Sequence, residues 1–187
     1  MKCGVSGLLG SFSHQAALEA FPQAELLFLL DMEGVLAALE KGEIERGIFP
    51  VTNSVGGLVQ TAFEAMGKHP FKVAGQHLLE VHQCILVHPD SAEIDAVASH
   101  PQALTQCART LAVQHPTWEK VEWSDTASAA RDLAAGKLPK TTAVLAPAAA
   151  AQQYGLKVLA ADVEDQKPNI TTFLIVEKLS NASVSAQ

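Results

Sequence analysis

Phe71-Lys72-Val73-Ala74-Gly75-Gln76-His77-Leu78-Leu79-Glu80-Val81-His82-Gln83-Cys84-Ile85-Leu86-Val87-His88-Pro89 is the stretch on which the fold turns. Its aliphatic and β-branched residues run from Lys72 to Val87, well beyond the length of an average strand, before Pro89 and Asp90 break the run. It reads as one long strand region leaving a first set of α/β units, with Asp90 to Ile94 opening a second set. Upstream, short aliphatic runs at Lys2 to Ser6, Glu25 to Leu30 and Arg46 to Pro50 alternate with helical stretches near 13 to 21, 32 to 41 and 56 to 68. Downstream, candidate strands at Ala96 to Ser99, Lys120 to Ser124, Thr142 to Ala146 and Lys157 to Ala161 alternate with helices near 101 to 114, 126 to 136 and 147 to 154. A last extended segment, Asn169 to Glu177, includes a strand from Thr172 to Glu177 and is free to return to either set. The expected architecture is α/β, two lobes joined by crossing segments. The small polar tail from Ser180 to Gln187 is expected to fray.

Composition limits the function classes. The 187 residues are 48% hydrophobic and 18% charged, values of an ordinary globular chain long enough for two small lobes. Thirteen basic against 20 acidic residues give a formal charge of -7, and no block of Lys or Arg occurs, which argues against a nucleic-acid or anionic-membrane partner. Runs such as Leu26 to Leu30 fall far short of the roughly 18 apolar residues of a membrane span. Met1-Lys2 leads straight into Cys3, Gly4, Ser6 and Gly7, without the hydrophobic region of a signal peptide, so a cytoplasmic protein is expected. Cys3, Cys84 and Cys107 are odd in number and set among apolar neighbours, the pattern of buried thiols. The seven histidines form no H-x-x-x-H pair and no sequence cluster with Cys or carboxylates, so no metal site is expected.

Four stretches carry polar groups where chemistry could sit. Gly7-Leu8-Leu9-Gly10-Ser11-Phe12-Ser13-His14 follows a strand and opens a helix; Ser11 and Ser13 either cap it or meet an anion there. Gly47-Ile48-Phe49-Pro50-Val51-Thr52-Asn53-Ser54-Val55-Gly56-Gly57 ends a strand with amide, hydroxyl and backbone donors on one rim, or is a simple turn and cap. Ser99 and Gln106 are seven residues apart, nearly one helix face, and Ser99-x-x-Gln102 has the form of a capping box before Pro101. On that helix Ala103, Leu104, Cys107 and Leu111 form the apolar stripe. In Asn169-Ile170-Thr171-Thr172-Phe173, strand alternation puts Thr171 and Phe173 on one face, although a Thr there also serves simply as a β-former.

Taken in order, these stretches resemble the catalytic domain of the prephenate dehydratases. The first is similar to that family's Gly-Pro-x-Gly-Thr-Phe-Ser-x-x-Ala, and Gly42-Glu43 through Ser54 to its Gly-Glu...Gly-x-x-Pro-Ile-Glu-Asn-Ser. Ser99-His100-Pro101-Gln102-Ala103-Leu104-Thr105-Gln106-Cys107 matches Ser-His-Pro-Gln-x-x-x-Gln-Cys closely. Asp125-Thr126-Ala127-Ser128-Ala129-Ala130 is similar to Ser-Thr-Ala-x-Ala-Ala, Tyr154-Gly155-Leu156 matches as it stands, and Asn169 to Phe173 resembles Asn-x-Thr-Arg-Phe.

The resemblance implies a periplasmic-binding-protein-like fold of type II, α/β with two α/β lobes and a cleft between them, the lobes expected at approximately 1–75 plus the C-terminal segment 165–180, and 76–164. It also implies a cofactor-free lyase that converts prephenate into phenylpyruvate, water and carbon dioxide in phenylalanine biosynthesis. By the same resemblance Thr171 and Asn53 are the expected catalytic pair, with Ser11, Ser54, Ser99, Gln106, Thr172 and Phe173 touching substrate. The implied partner is the small molecule prephenate, with a homodimer left open and neither metal nor cofactor.

The family's Glu before Asn is Thr52 here, its Arg after Thr is Thr172, an acidic residue common two after Ser is Gly56, and its opening Pro is Leu8. Loss of Arg removes a bidentate grip on a carboxylate, and loss of Glu a proton carrier. Helix N-termini at Ser11, Ser54 and Ser99, helped by His14, His100 or Lys167, are the expected sources of positive potential. Two alternatives remain open: a relative that decarboxylates prephenate without expelling the hydroxyl, and a non-catalytic small-anion binder. The chain's length is expected to leave no room for a regulatory ACT domain or a chorismate mutase domain.

Overall fold

The structure, a computed structural model, describes residues 1–179; the tail reading for 180–187 lies outside them. In the first lobe, strands β1 (Lys2–Ser6), β2 (Glu25–Leu29), β3 (Arg46–Asn53), β5 (Lys72–Glu80) and β11 (Ile170–Glu177) form a sheet ordered β2-β1-β3-β11-β5, with the short β4 (Gly57–Leu58) paired to β3. Helix α1 (Phe12–Ala20) packs with Val5, Ile48, Leu79 and Phe173 in one apolar cluster, while α2 (Met32–Lys41) and α3 (Gln60–Met66) share another with Phe49 and Val176. The limits of α2 are written locally: Asp31 caps its start through a 2.8 Å bond from the Gly34 N–H, and Gly42 ends it at φ 77°, a conformation that favours glycine.

The second lobe repeats the plan. Strands β6 (Cys84–Val87), β7 (Ala96–Ser99), β8 (Glu119–Glu122), β9 (Thr142–Ala146) and β10 (Lys157–Ala160) are ordered β10-β6-β9-β7-β8. Helices α4 (Pro101–Gln106) and α5 (Ala108–Gln114) share one core cluster, and α6 (Thr126–Ala134) and α7 (Ala148–Tyr154) the other. In each lobe the strand that arrives from the other lobe, β11 or β6, lies beside the third parallel strand and antiparallel to it; the strand that leaves, β5 or β10, lies on the edge. All three cysteines are free and buried. Burial pushes the Cys107 thiol up to about 12, with the Asp165 and Glu164 charges adding to it, and the Cys3 thiol to about 11 despite Arg46.

Five expectations change. The stretch from Lys72 to Val87 is not one strand but two, in different sheets, separated by Val81–Gln83. A lobe boundary at 75/76 would cut β5, so the first crossover lies at 81–83 and the second between β10 and β11. The break arises because the crossovers bond to each other: the Val81 N–H donates to Asn169 O (2.6 Å), the Val163 N–H to Gln83 O (3.0 Å) and the Gln83 N–H to Glu164 Oε2 (2.9 Å). The helix expected over 101–114 breaks at Cys107 (φ −111°, ψ 10°). There the second crossover inserts, with the Asp165 N–H donating to Gln106 O (2.7 Å) and its carboxylate accepting from the Arg109 and Thr110 N–H groups (2.7 and 2.8 Å). Buried Ala103, Leu104, Cys107 and Leu111 keep their spacing across the break, so periodicity could not reveal it. The capping box at Ser99 is absent; His100 caps α4 through Nδ1, which accepts from the Gln102 N–H (3.2 Å). Finally, the helix expected from 56 starts at Gln60, because Gly57–Leu58 pairs with β3 first.

Candidate functional site

β3 and β11 end beside each other with Asn53 and Thr171 in register, both nearly buried. The Asn53 side-chain oxygen accepts from the backbone N–H groups of Val55 (3.0 Å) and Gly56 (2.6 Å), which fixes the orientation of its amide. Its NH₂ therefore faces inward, donating to Thr171 Oγ1 (2.9 Å) and to Asn169 Oδ1 (2.7 Å). Gln106, the last residue of α4, reaches over from the second lobe: its Nε2 donates to Asn53 Oδ1 and its Oε1 accepts from Asn169 Nδ2, each at 3.3 Å. One strand end from the first lobe, one helix end from the second and the entry to the returning strand thus meet in a single network of neutral groups. The Thr171 oxygen accepts from Asn53 and donates to nothing among the described residues, which leaves its proton uncommitted. An N–H directed into that oxygen makes the O–H a stronger donor.

Beside this network, and sharing Gln106 with it, a depression of about 290 Å³ is lined by Val55 and Gly56 from the first lobe, Gln102 and Thr105 from the second, and Asp165 and Gln166 from the crossover. A side chain at Gly56 would collide with the Gln102 amide, so in this chain Gln102 occupies the space that an acidic residue at 56 would need. On another side of the interface, Tyr154 at the end of α7 donates its phenol proton to Leu9 O (2.7 Å), and Gly10 lies so close that a Cβ there would sit 3.0 Å from Ala150 Cα. Burial raises the Tyr154 phenol above its usual range, with Arg131 nearby acting in the opposite sense, so the phenol is held as a donor.

Asn53, Thr171 and Gln106 come together; the other expected contacts do not. Ser99 is fully buried and its hydroxyl donates to Leu145 O (2.8 Å), which places it beneath the site. Phe173, 1% exposed, belongs to the core against α1 and is no wall of the cleft. Thr172 is one residue on from Thr171 and so faces away from the network, in register with Thr52 on β3. Two of the four positions that depart from the family pattern, Thr52 and Thr172, are therefore cross-strand partners on the opposite face.

Ser11 caps α1, accepting from the His14 N–H (3.1 Å). Ser54 sits in the turn before β4, at no helix start, and ties that turn to the second crossover by accepting from the Ile170 N–H (2.9 Å) and donating to Pro168 O (3.3 Å). His14 Nδ1 accepts from the Gly10 N–H (3.1 Å) and burial lowers its pKa, so it is neutral and no cation. Lys167 lies 3.6 Å from Glu164 Oε1 rather than over the network. Asn169, 1% exposed, was not among the expected site residues, although it heads the motif that contains Thr171. The first carboxylate beside the depression is Asp165; burial works to raise its pKa, but the Arg109 and Thr110 donors outweigh this and hold it low.

Two mixed sheets joined by two crossovers, with polar side chains from both lobes and the connection meeting at their junction, define a two-lobed α/β protein of the periplasmic-binding-protein-like class. Within that class the chain belongs to the prephenate dehydratase family, whose model matches residues 3–181. It is 33% identical over 180 residues to arogenate dehydratase 1 of Petunia hybrida, covering 95% of this chain and 42% of that protein. Among solved structures it is similar to prephenate dehydratase from Arthrobacter aurescens in complex with L-Phe, with a TM-score of 0.87 at 25% identity over 96% of this chain and 61% of that one. GqqA, described as a novel type of quorum quenching acylase, aligns with a TM-score of 0.85 at 26% identity over 96% of this chain and 65% of that one. The methionine-binding protein MetQ shares the fold alone, with a TM-score of 0.52 at 13% identity over 99% of this chain and 85% of that one. The chain spans less than half the length of the plant relative.

Proposed function

We propose that this chain catalyses the aromatising elimination of prephenate to phenylpyruvate, water and carbon dioxide, a hydro-lyase step of phenylalanine biosynthesis, and that it does so in the cytoplasm. The observation that carries the reading is the Thr171 hydroxyl, oriented by Asn53 and left with a proton to give. In the reaction the bond from ring carbon to carboxylate breaks and releases carbon dioxide. Its electron pair completes the aromatic ring as the opposite C–O bond breaks, and the departing hydroxide takes a proton from Thr171 Oγ1, which solvent restores. Aromatisation supplies most of the driving force, so orientation and one hydrogen bond to the leaving oxygen are the contributions asked of the protein. Gln106 and Asn169 steady Asn53 from the second lobe and the crossover, which ties the donor's geometry to lobe closure.

The free donor at Thr171 favours dehydration over a bare decarboxylation, which needs no group at the hydroxyl. Hydrolytic acyl transfer finds less support, because the structure pairs Thr171 with an amide rather than with a His or carboxylate that could activate it as a nucleophile. The test is to incubate the purified chain with prephenate, and separately with arogenate, and identify the products by mass. Phenylpyruvate from prephenate is expected. A non-aromatic hydroxy acid or unchanged prephenate would overturn the reading, and phenylalanine from arogenate alone would move the substrate to the amino acid.

A further inference from the structure

Where the two crossovers run side by side, residues far apart in sequence converge: His82 Nδ1 is 2.8 Å from Asp162 Oδ1 and 3.5 Å from Glu164 Oε1. One donor atom from each of the three lies within 4.8 Å of the others. A small divalent ion bound at 2.0–2.2 Å by N and O ligands in a tetrahedron needs them about 3.4 Å apart, a value that the two His82 separations bracket. The expectation of no metal site rested on the lack of a histidine–carboxylate cluster in sequence, whereas the fold makes one.

Two further features point to an ion. The Glu164 side chain is 1% exposed; its Oε2 is held by the Gln83 N–H, while its Oε1 accepts no hydrogen bond among the described residues and is aimed at His82. A carboxylate withdrawn from water is costly unless a cation meets it; here Lys167 does so only loosely, at 3.6 Å, and leaves room for an ion at closer range. On the other side of the ring, Glu80 Oε2 lies 4.0 Å from His82 Nε2, beyond hydrogen-bond distance but on the side from which a carboxylate orients a metal-binding imidazole. Lys167, 3.6 Å from Glu164 Oε1, is half exposed and free to swing aside.

We propose that His82, Asp162 and Glu164 bind one divalent transition-metal ion of the zinc class, with water completing its shell, and that the ion fastens the first crossover to the second. The imidazole nitrogen selects zinc, cobalt or nickel over magnesium and calcium. The site shares no residue with the Asn53–Thr171 network, so it stands whether or not the dehydratase reading does.

The test titrates zinc chloride into the metal-free full chain by calorimetry, follows the melting temperature, and repeats both with His82→Ala and Asp162→Asn. Both side chains are exposed, and Asn tolerates the left-handed φ of 57° at position 162, so the variants should fold. Expected are one zinc per chain with a raised melting temperature, an affinity at least about tenfold weaker in each variant, and loss of the melting shift. Absence of saturable binding by the parent, or equal affinity in both variants, which retain all three cysteines, would overturn the site.

Discussion

The Thr171 hydroxyl is held by a single constraint, the Asn53 NH₂, which is in turn fixed by two backbone N–H groups at the end of β3. Thr171→Val keeps the β-branched shape and deletes the hydroxyl, both its proton and the acceptor of one Asn53 N–H, so the chain should still fold, at a cost of about 1–3 kcal/mol. Turnover of prephenate should fall by roughly 10² to 10⁴-fold with little change in KM, the range for a positioned acid. Thr172→Val, on the opposite face, should stay near the parent rate, and steady-state kinetics of the pair separates chemistry from a disturbed strand. Asn53, Thr171 and Gln106 were legible in the sequence because each sits in an ordered motif. Ser99 and Phe173 were misplaced because alternation and helical spacing say which residues share a face, not whether that face meets core or cleft. Asn169 was overlooked because a polar residue just ahead of a strand looks like turn chemistry.

The break between α4 and α5 depends on Asp165, whose carboxylate accepts the Arg109 and Thr110 N–H groups and the Thr110 hydroxyl at 2.7–2.8 Å. Asp165→Ala should cost about 1 kcal/mol of unfolding free energy, the usual worth of a helix cap, measured by urea denaturation at neutral pH. The folded state holds this carboxyl's pKa below its unfolded value near 4, so its contribution is fully present above that value. It is lost as the pH falls through the lower folded value, and the parent and Asp165→Ala curves should converge there. Most strands and helices were legible from aliphatic alternation and caps, Lys2–Ser6 and Met32–Lys41 to the residue. The strand break at Val81–Gln83 and the helix break at Cys107 were not, since each is imposed by bonds from the second crossover, remote in sequence.

At the scale of the molecule the two lobes touch through Tyr154 and Leu9 on one side and through Gln106 and the Asn53 network on the other. A ligand in the cleft bridges both lobes and binds only the folded chain, so prephenate or phenylpyruvate should raise the melting temperature. Gln106→Ala, half-buried at a helix end, should reduce that rise while leaving the unliganded melting temperature within a few degrees; an unchanged ligand shift would remove Gln106 from the site. Tyr154→Phe deletes one inter-lobe hydrogen bond and should raise KM more than it lowers kcat, if the clasp serves closure rather than chemistry. The two-lobed plan was legible in the long apolar stretch from Phe71 to Pro89, whereas which strands border each other was not.

That arrangement has a consequence for birth on the ribosome. β11 lies between β3 and β5, so the first lobe's sheet lacks an interior strand until residues 170–177 have been made. The second lobe's five strands, by contrast, come from the unbroken stretch 84–160 and can assemble first. During synthesis the earlier-made half waits with the facing edges of β3 and β5 unpaired, open to chaperones or to a neighbouring nascent chain, until the last strand closes it.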